Sequence, residues 1–202
     1  MDHPSPVNEP TRALLDRAQA GDMQAAEQLF EQAAERVLLF IRLRLGAKLG
    51  RELDPMDVLQ ETWVAALEGF QRFDAAGTGA FAAWLCRLAE NRMADLARRG
   101  GRLKRTPPGQ RQAASVLLDR AKHSATGPLT AAVRGERGQR LSEAIEQLDQ
   151  EEREVALLRH FQELSVEDIA ERVGASASAV RRRLGRALAS LGRAMGEDKS
   201  HG

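Results

Sequence analysis

The sequence predicts an all-α protein in which two small helical domains are joined by a flexible linker. Three observations predict it. Ala, Leu, Arg, Glu and Gln dominate, aromatics are only 4% of the chain and tyrosine is absent. That bias favours helix, because strands draw on β-branched and aromatic residues. Apolar side chains recur at helical spacing from Thr11 to Arg99 and again from Arg140 to Met195. Between these stretches, Gly100–Gln139 holds six glycines and three prolines with little sustained periodicity, the composition of a linker. At 202 residues, 43% of them hydrophobic, the chain has the length and the apolar content for two compact cores.

The elements follow in order. Residues 1–10, with Pro4, Pro6 and Pro10, read as a disordered arm. Helix runs from Thr11 to about Gly46 with a break at Gly21-Asp22, where Asp22 caps the helix carrying Ala26, Leu29, Phe30, Val37, Leu38 and Ile41. Asp54-Pro55-Met56-Asp57 is a second helix start: an N-cap aspartate, proline in the first turn, then another acid. That helix extends to Phe70. A glycine-bearing loop, Asp74 to Ala80, precedes a third helix from Phe81 to about Arg99. The linker carries one short helix around Ala113–Ala121. In the last block, Ser165 caps a short helix closed by Gly174, and a second helix spans Ala177 to Leu191. Ala170 lets those two helices approach, Gly174 takes the tight turn and Val180 pins the second helix, the requirements of a helix-turn-helix. The expected domains are therefore 11–105 and 140–195, with 106–139 between them and 196–202 as a tail.

Composition excludes several classes. One cysteine, Cys86, cannot build an intramolecular disulfide framework, which suits a reducing cytoplasm. The N-terminus has no basic and apolar leader, and purely apolar runs such as Val37 to Ile41 are too short to span a bilayer. A soluble cytoplasmic protein without a membrane partner is expected. The four histidines (His3, His123, His160 and His201) are dispersed, and no His-Glu-x-x-His, cysteine pair, phosphate-cradling glycine motif or nucleophile elbow occurs. No catalytic residue, metal, cofactor or small-molecule substrate is expected, and the chain does not read as an enzyme. Net charge is +1, so any nucleic-acid contact must come from local patches. From Arg87 to Arg111 eight basic residues face only Glu90 and Asp95.

Three surfaces stand out. On the last long helix Val180, Leu184, Ala187, Leu188 and Leu191 form an apolar face at about 100° per residue. Arg182, Arg186 and Arg193 lie opposite with Ser178 and Ala179, and Arg181 and Arg183 flank them. An arginine row on the second helix of a helix-turn-helix suits entry into a DNA groove, though a solvated cationic face has the same composition. On the helix Pro55–Phe70, the core side is Leu59, Thr62, Trp63, Ala66 and Phe70. Asp57, Gln60, Glu61, Val64 and Glu68 cluster opposite; taken alone they read as a solvated face, with Asp57 serving the helix dipole. The same stripe also has the chemistry to dock a basic protein surface. The helix Phe81–Arg99 buries Phe81, Leu85, Leu88, Ala89 and Leu96 and lines up Arg87, Asn91, Ala94 and Arg98 on another side. Trp84 and Cys86 read as packing residues, and Phe73 and Phe81 as core rather than base-stacking residues.

Taken in order, these segments resemble the extracytoplasmic-function (ECF) subfamily of RNA polymerase sigma factors. Asp57-Val58-Leu59-Gln60-Glu61-Thr62-Trp63 is similar to the family's region 2.2, and the resemblance implies that Asp57, Gln60, Glu61 and Val64 bind core RNA polymerase. Phe73-Asp74, Phe81 to Leu85, Leu88 to Arg92, Asp95 and Arg98-Arg99 are similar to regions 2.3 and 2.4, which open and read the minus-10 element. The implied DNA contacts there are Ala76, Gly77, Thr78, Arg87, Asn91, Arg98 and Arg99. Glu154-Val155 through Leu191 is similar to region 4, which reads the minus-35 element. The implied contacts are Ser176, Ser178, Ala179, Arg181, Arg182, Arg183 and Arg186. The resemblance covers about 150 of the 202 residues and implies a sigma region 2 bundle followed by a sigma region 4 helix-turn-helix. Core polymerase and promoter DNA are the implied partners, and many relatives are held by an anti-sigma factor. The alternative is a stand-alone helix-turn-helix DNA-binding regulator that never meets polymerase.

Overall fold

A computed structural model describes residues 9–50, 52–74, 80–98, 112, 114–117 and 136–196. The expected arm through residue 8, most of the linker and the tail from residue 197 lie outside them. The chain divides into two compact units, Met1–Thr126 and Gly127–Gly202. Among the described residues every regular element is helical, and no helix is long and apolar enough to cross a membrane.

The first unit opens with α1 (Glu9–Gln19) and α2 (Met23–Leu49). The helix begins at Glu9, two residues inside the predicted arm, because Pro10 falls in a first turn where a missing N–H costs nothing. The predicted break is at Gly21-Asp22: Gly21 has φ 97°, and the Asp22 carboxylate accepts from the backbone N–H groups of Gln24 and Ala25. Near its end α2 kinks at Gly46, whose φ of 56° and ψ of −172° suit only a residue without Cβ. α3 (Pro55–Gly69) starts as read from sequence, with Asp54 accepting from the Met56 N–H at 2.7 Å and proline in the first turn. A 3₁₀ turn, Phe70–Arg72, follows it. α4 (Ala80–Arg98) packs on both α2 and α3.

Phe30 on α2 organises this core. Its ring meets Trp63 edge-on at 5.1 Å and Phe81 at 5.4 Å, with Phe70 at 6.1 Å. Edge-to-face pairs of this kind add about 0.5–1.5 kcal/mol each beyond the area they bury. Ala114 and Leu117, helical within the predicted linker helix, are buried too.

Two expectations are corrected. Val64 is only 5% exposed, so it belongs to the core and not to the polar stripe. The reason is that α3 lies against both α2 and α4, which widens its covered arc beyond one amphipathic stripe and takes in Val58 as well as Val64. On α4, Leu88 is half-buried while Ala83 and Met93 are buried in addition to the expected residues, and Cys86 is buried as read from sequence.

The second unit comprises α5 (Glu136–Glu146), α6 (Gln150–Phe161), α7 (Val166–Val173) and α8 (Ala177–Gly196). α5 begins four residues before the predicted Arg140. α7 carries a full capping box: the Ser165 hydroxyl accepts from the Asp168 N–H, and the Asp168 carboxylate accepts from the Ser165 N–H. Gly174 closes α7 in the left-handed region, φ 63° and ψ 37°. Val155, Leu158, Ile169, Ala170 and Val180 form the core beneath the turn. Leu188 departs from the expected apolar face, being 55% exposed. It sits about 70° from the centre of the arc through Val180, Leu184, Ala187 and Leu191, beyond the strip that α5, α6 and α7 cover.

Candidate functional site

Three surfaces emerge, two on the first unit and one on the second. On α3, Asp57 is exposed and Gln60 and Glu61 are half-buried along one side of the helix. With Val64 in the core, this polar stripe is a set of hydrogen-bond acceptors and one amide, without an apolar anchor. Asp57 stands in the first helical turn, where its charge also complements the helix N-terminus.

The second surface runs along α4. Asn91, Ala94 and Arg98 are exposed and Arg87 is half-buried, on one side as read from sequence. Arg98 pairs with Asp95, which also lies 3.3 Å from Arg92. Part of the basic charge of this helix is thus met by its own aspartate. Ala76, Gly77, Thr78 and Arg99 lie outside the described residues. The chain entering that loop is held from a distance: the side-chain amide of Gln19 donates to the carbonyls of Phe70, at 3.1 Å, and Phe73, at 2.7 Å. Beside it Phe73 stacks on Trp84 with centroids 4.7 Å apart, while Phe81 is buried. Phe81 is core as read from sequence, whereas Phe73 and Trp84 are half-buried; sequence reading misses Gln19, whose partners lie more than fifty residues away.

The third surface is the outer face of α8. Ser176 stands just before the helix and its hydroxyl accepts from the Ala179 N–H at 3.2 Å, so it serves as a cap. Ser178, Arg181, Arg182 and Arg186 are exposed, and Ala179 and Arg183 are half-buried. The arginines are not equivalent. Arg181 reaches Glu167 on α7 through Nη2 at 2.9 Å, and Arg183 reaches Glu151 on α6 through Nη2 at 2.6 Å. Arg186 donates instead through Nε, to Glu152 on α6 at 2.6 Å. Among the described residues Arg182 alone of the four has no ion-pair partner. The three carboxylates escape sequence reading, although Glu151 and Glu152 are visible as an acidic first turn of α6.

Comparison with known proteins bears on all three surfaces. Residues 21–103 match the family model for sigma-70 region 2, and residues 138–191 match that for sigma-70 region 4. The chain is 32% identical over 179 residues to the ECF RNA polymerase sigma factor SigD of Mycobacterium tuberculosis, covering 89% of this chain and 81% of that one. It is 30% identical over 191 residues to the RNA polymerase sigma-H factor of Pseudomonas aeruginosa, covering 94% and 95%. Among solved structures it is similar to CnrH in complex with the cytosolic domain of CnrY, with a TM-score of 0.50, 27% identity, and 94% and 99% of the two chains covered. The cap and turn chemistry of α7 and α8, the region 2 helices before them and these relatives converge: the chain belongs to the ECF RNA polymerase sigma factors, which direct transcription from specific promoters.

Proposed function

We propose that this sigma factor divides promoter recognition between a region 2 domain at 11–105 and a region 4 domain at 140–195, joined by the linker 106–139. Asp57, Gln60 and Glu61 of α3 dock on core RNA polymerase. Arg87, Asn91 and Arg98, continuing to Arg99, track the minus-10 DNA, and the loop residues Ala76, Gly77 and Thr78 approach a base of the same element. The face of α8 bearing Ser178, Arg182 and Arg186 enters the major groove of the minus-35 element, flanked by Arg181 and Arg183, with Ser176 and Ala179 at the entry. Its work on polymerase and DNA is cytoplasmic.

One observation carries the DNA half of this assignment. Arg182 projects from the side of α8 opposite the buried Val180, with no carboxylate against it among the described residues. An exposed guanidinium without a partner has its donors free for phosphate or guanine edges. The polymerase half rests on α3, where Asp57, Gln60 and Glu61 keep the ordered spacing of region 2.2 within the matched segment. A partner protein that blocks these surfaces also fits, since the related CnrH was solved in complex with the cytosolic domain of CnrY. The test is a pull-down of core polymerase by the tagged chain, followed by run-off transcription on genomic fragments. Recruitment with initiation at a common pair of upstream elements is expected. Failure to bind core polymerase would overturn the polymerase assignment.

A further inference from the structure

The carboxylates beneath the arginines of α8 meet them in two different ways. Arg181 and Arg183 each commit a terminal Nη2 to an acid, so part of the outward edge of the guanidinium is already engaged. Arg186 commits Nε, the nitrogen nearest its own stem, to Oε1 of Glu152. The Glu152 side chain is only 13% exposed, whereas that of Arg186 is 59% exposed. The anchor is therefore on the protein side and the open donors are on the solvent side. A guanidinium is planar and delocalised, so fixing Nε–H fixes the plane in which both Nη groups lie. Those two groups form the fork that pairs bidentately with O6 and N7 of guanine.

We propose that Glu152 is the positioning residue for base reading by Arg186: it holds the guanidinium by Nε so that both Nη groups present end-on to a base edge in the groove. This rests on the reading that α8 enters the minus-35 DNA, and it adds how one of its arginines gains specificity. An arginine left to rotate meets phosphates and bases indiscriminately, because its long stem samples many rotamers. One held at Nε has lost that freedom before DNA arrives, and a neighbouring phosphate finds its side edge already occupied. The glutamate thus trades some positive charge for direction. It also contributes from α6, a helix that need not touch DNA, across 34 residues of sequence.

The test uses the full chain assembled with core polymerase and a duplex promoter library randomised across the upstream element. Wild-type holoenzyme selects the preferred sequence, and every single-base variant of it is then compared. Arg186→Ala identifies the base pair that Arg186 reads. Glu152→Ala should then lower discrimination at that same base pair about five- to ten-fold, with other positions little changed. Glu152→Gln retains an acceptor oxygen for Nε–H and should restore most of the lost discrimination. Thermal unfolding of each variant separates this from a strut between α6 and α8, which would lower the melting temperature and weaken every sequence alike. Unchanged discrimination at the Arg186 base pair in Glu152→Ala, or a uniform loss tracking stability, would overturn the positioning role. If Arg186→Ala itself has no sequence-dependent effect, the underlying reading of α8 fails, which is a distinguishable result.

Discussion

The side-chain amide of Gln19, in the last turn of α1, donates to the carbonyl of Phe73 at 2.7 Å as well as to that of Phe70 at 3.1 Å. The carbonyls of the first residue of the short 3₁₀ turn and of the residue just after it thereby share one donor group, and the chain leading to Asp74 is tied at a fixed point. These bonds are part-buried, so water replaces them poorly. Gln19→Leu removes the donor and keeps the approximate volume. The Phe70 carbonyl keeps the Phe73 N–H at 3.2 Å, so the Phe73 carbonyl is the acceptor that loses its side-chain donor, at about 1–3 kcal/mol. A urea titration of the variant should show a lowered midpoint with an unchanged slope. An unchanged midpoint would show that the Phe73 carbonyl is satisfied without Gln19.

The burial of Val64 separates two effects on α3 that the sequence alone merges. Gln60→Ala/Glu61→Ala changes half-buried polar side chains and should shift stability by only about 0.5 kcal/mol. Its expected effect is on recruitment, weakening capture of core polymerase on the order of ten-fold or more. Val64→Ala should do the reverse, costing about 1–3 kcal/mol of stability through a cavity while the folded fraction still binds. Core-polymerase pull-down beside thermal unfolding distinguishes them. Normal promoter transcription by the double variant would remove the polymerase surface from α3.

These two helices also show what sequence can and cannot reveal. The caps at Asp22, Asp54 and Ser165 and the turn at Gly174 were legible because their partners lie within a few residues. Val64 and Leu188 were misplaced in opposite directions. A helical wheel gives the angle of a side chain, but the width of the buried arc depends on how many neighbours press on the helix, and that is set by tertiary packing. Glu151, Glu152 and Glu167 escaped as partners of α8 for the same reason, since an acidic first turn reads as dipole complement before it reads as an anchor for arginine. The order of the surfaces, by contrast, came from the resemblance and not from periodicity.

Asp22 makes the first hairpin sensitive to acid. The Ala25 backbone N–H, helped by the Arg17 guanidinium, holds its carboxyl below the ordinary value of 3.8. A group whose folded-state pKa is depressed adds stability that is fully present above the unfolded value and is lost as pH falls through the folded one. The wild type should therefore lose stability more steeply than Asp22→Asn once the pH drops below 3.8, and the two should run parallel above pH 5 or so. Denaturant midpoints from pH 2.5 upward read this directly. Asp22 is half-buried, its side chain 33% exposed, and solvent screening keeps the difference small. Parallel curves throughout would mean that the cap works equally well without its charge.

Arg182 supplies the sharpest contrast on α8, because its neighbour Arg181 is already paired with Glu167. If Arg182 grips a base, Arg182→Ala should cost about 1–3 kcal/mol at one position of the upstream element and relax preference there. If it holds a phosphate, the loss should be uniform across sequences, and the slope of log K against log salt should shrink by about one. Arg181→Ala should cost less than Arg182→Ala in either case, since DNA must compete with a carboxylate for that guanidinium. Affinities of the holoenzyme for promoter duplexes over a salt series measure both quantities at once. A silent Arg182→Ala beside a damaging Arg181→Ala would mean that α8 presents a face turned by about 100° from the one assigned here.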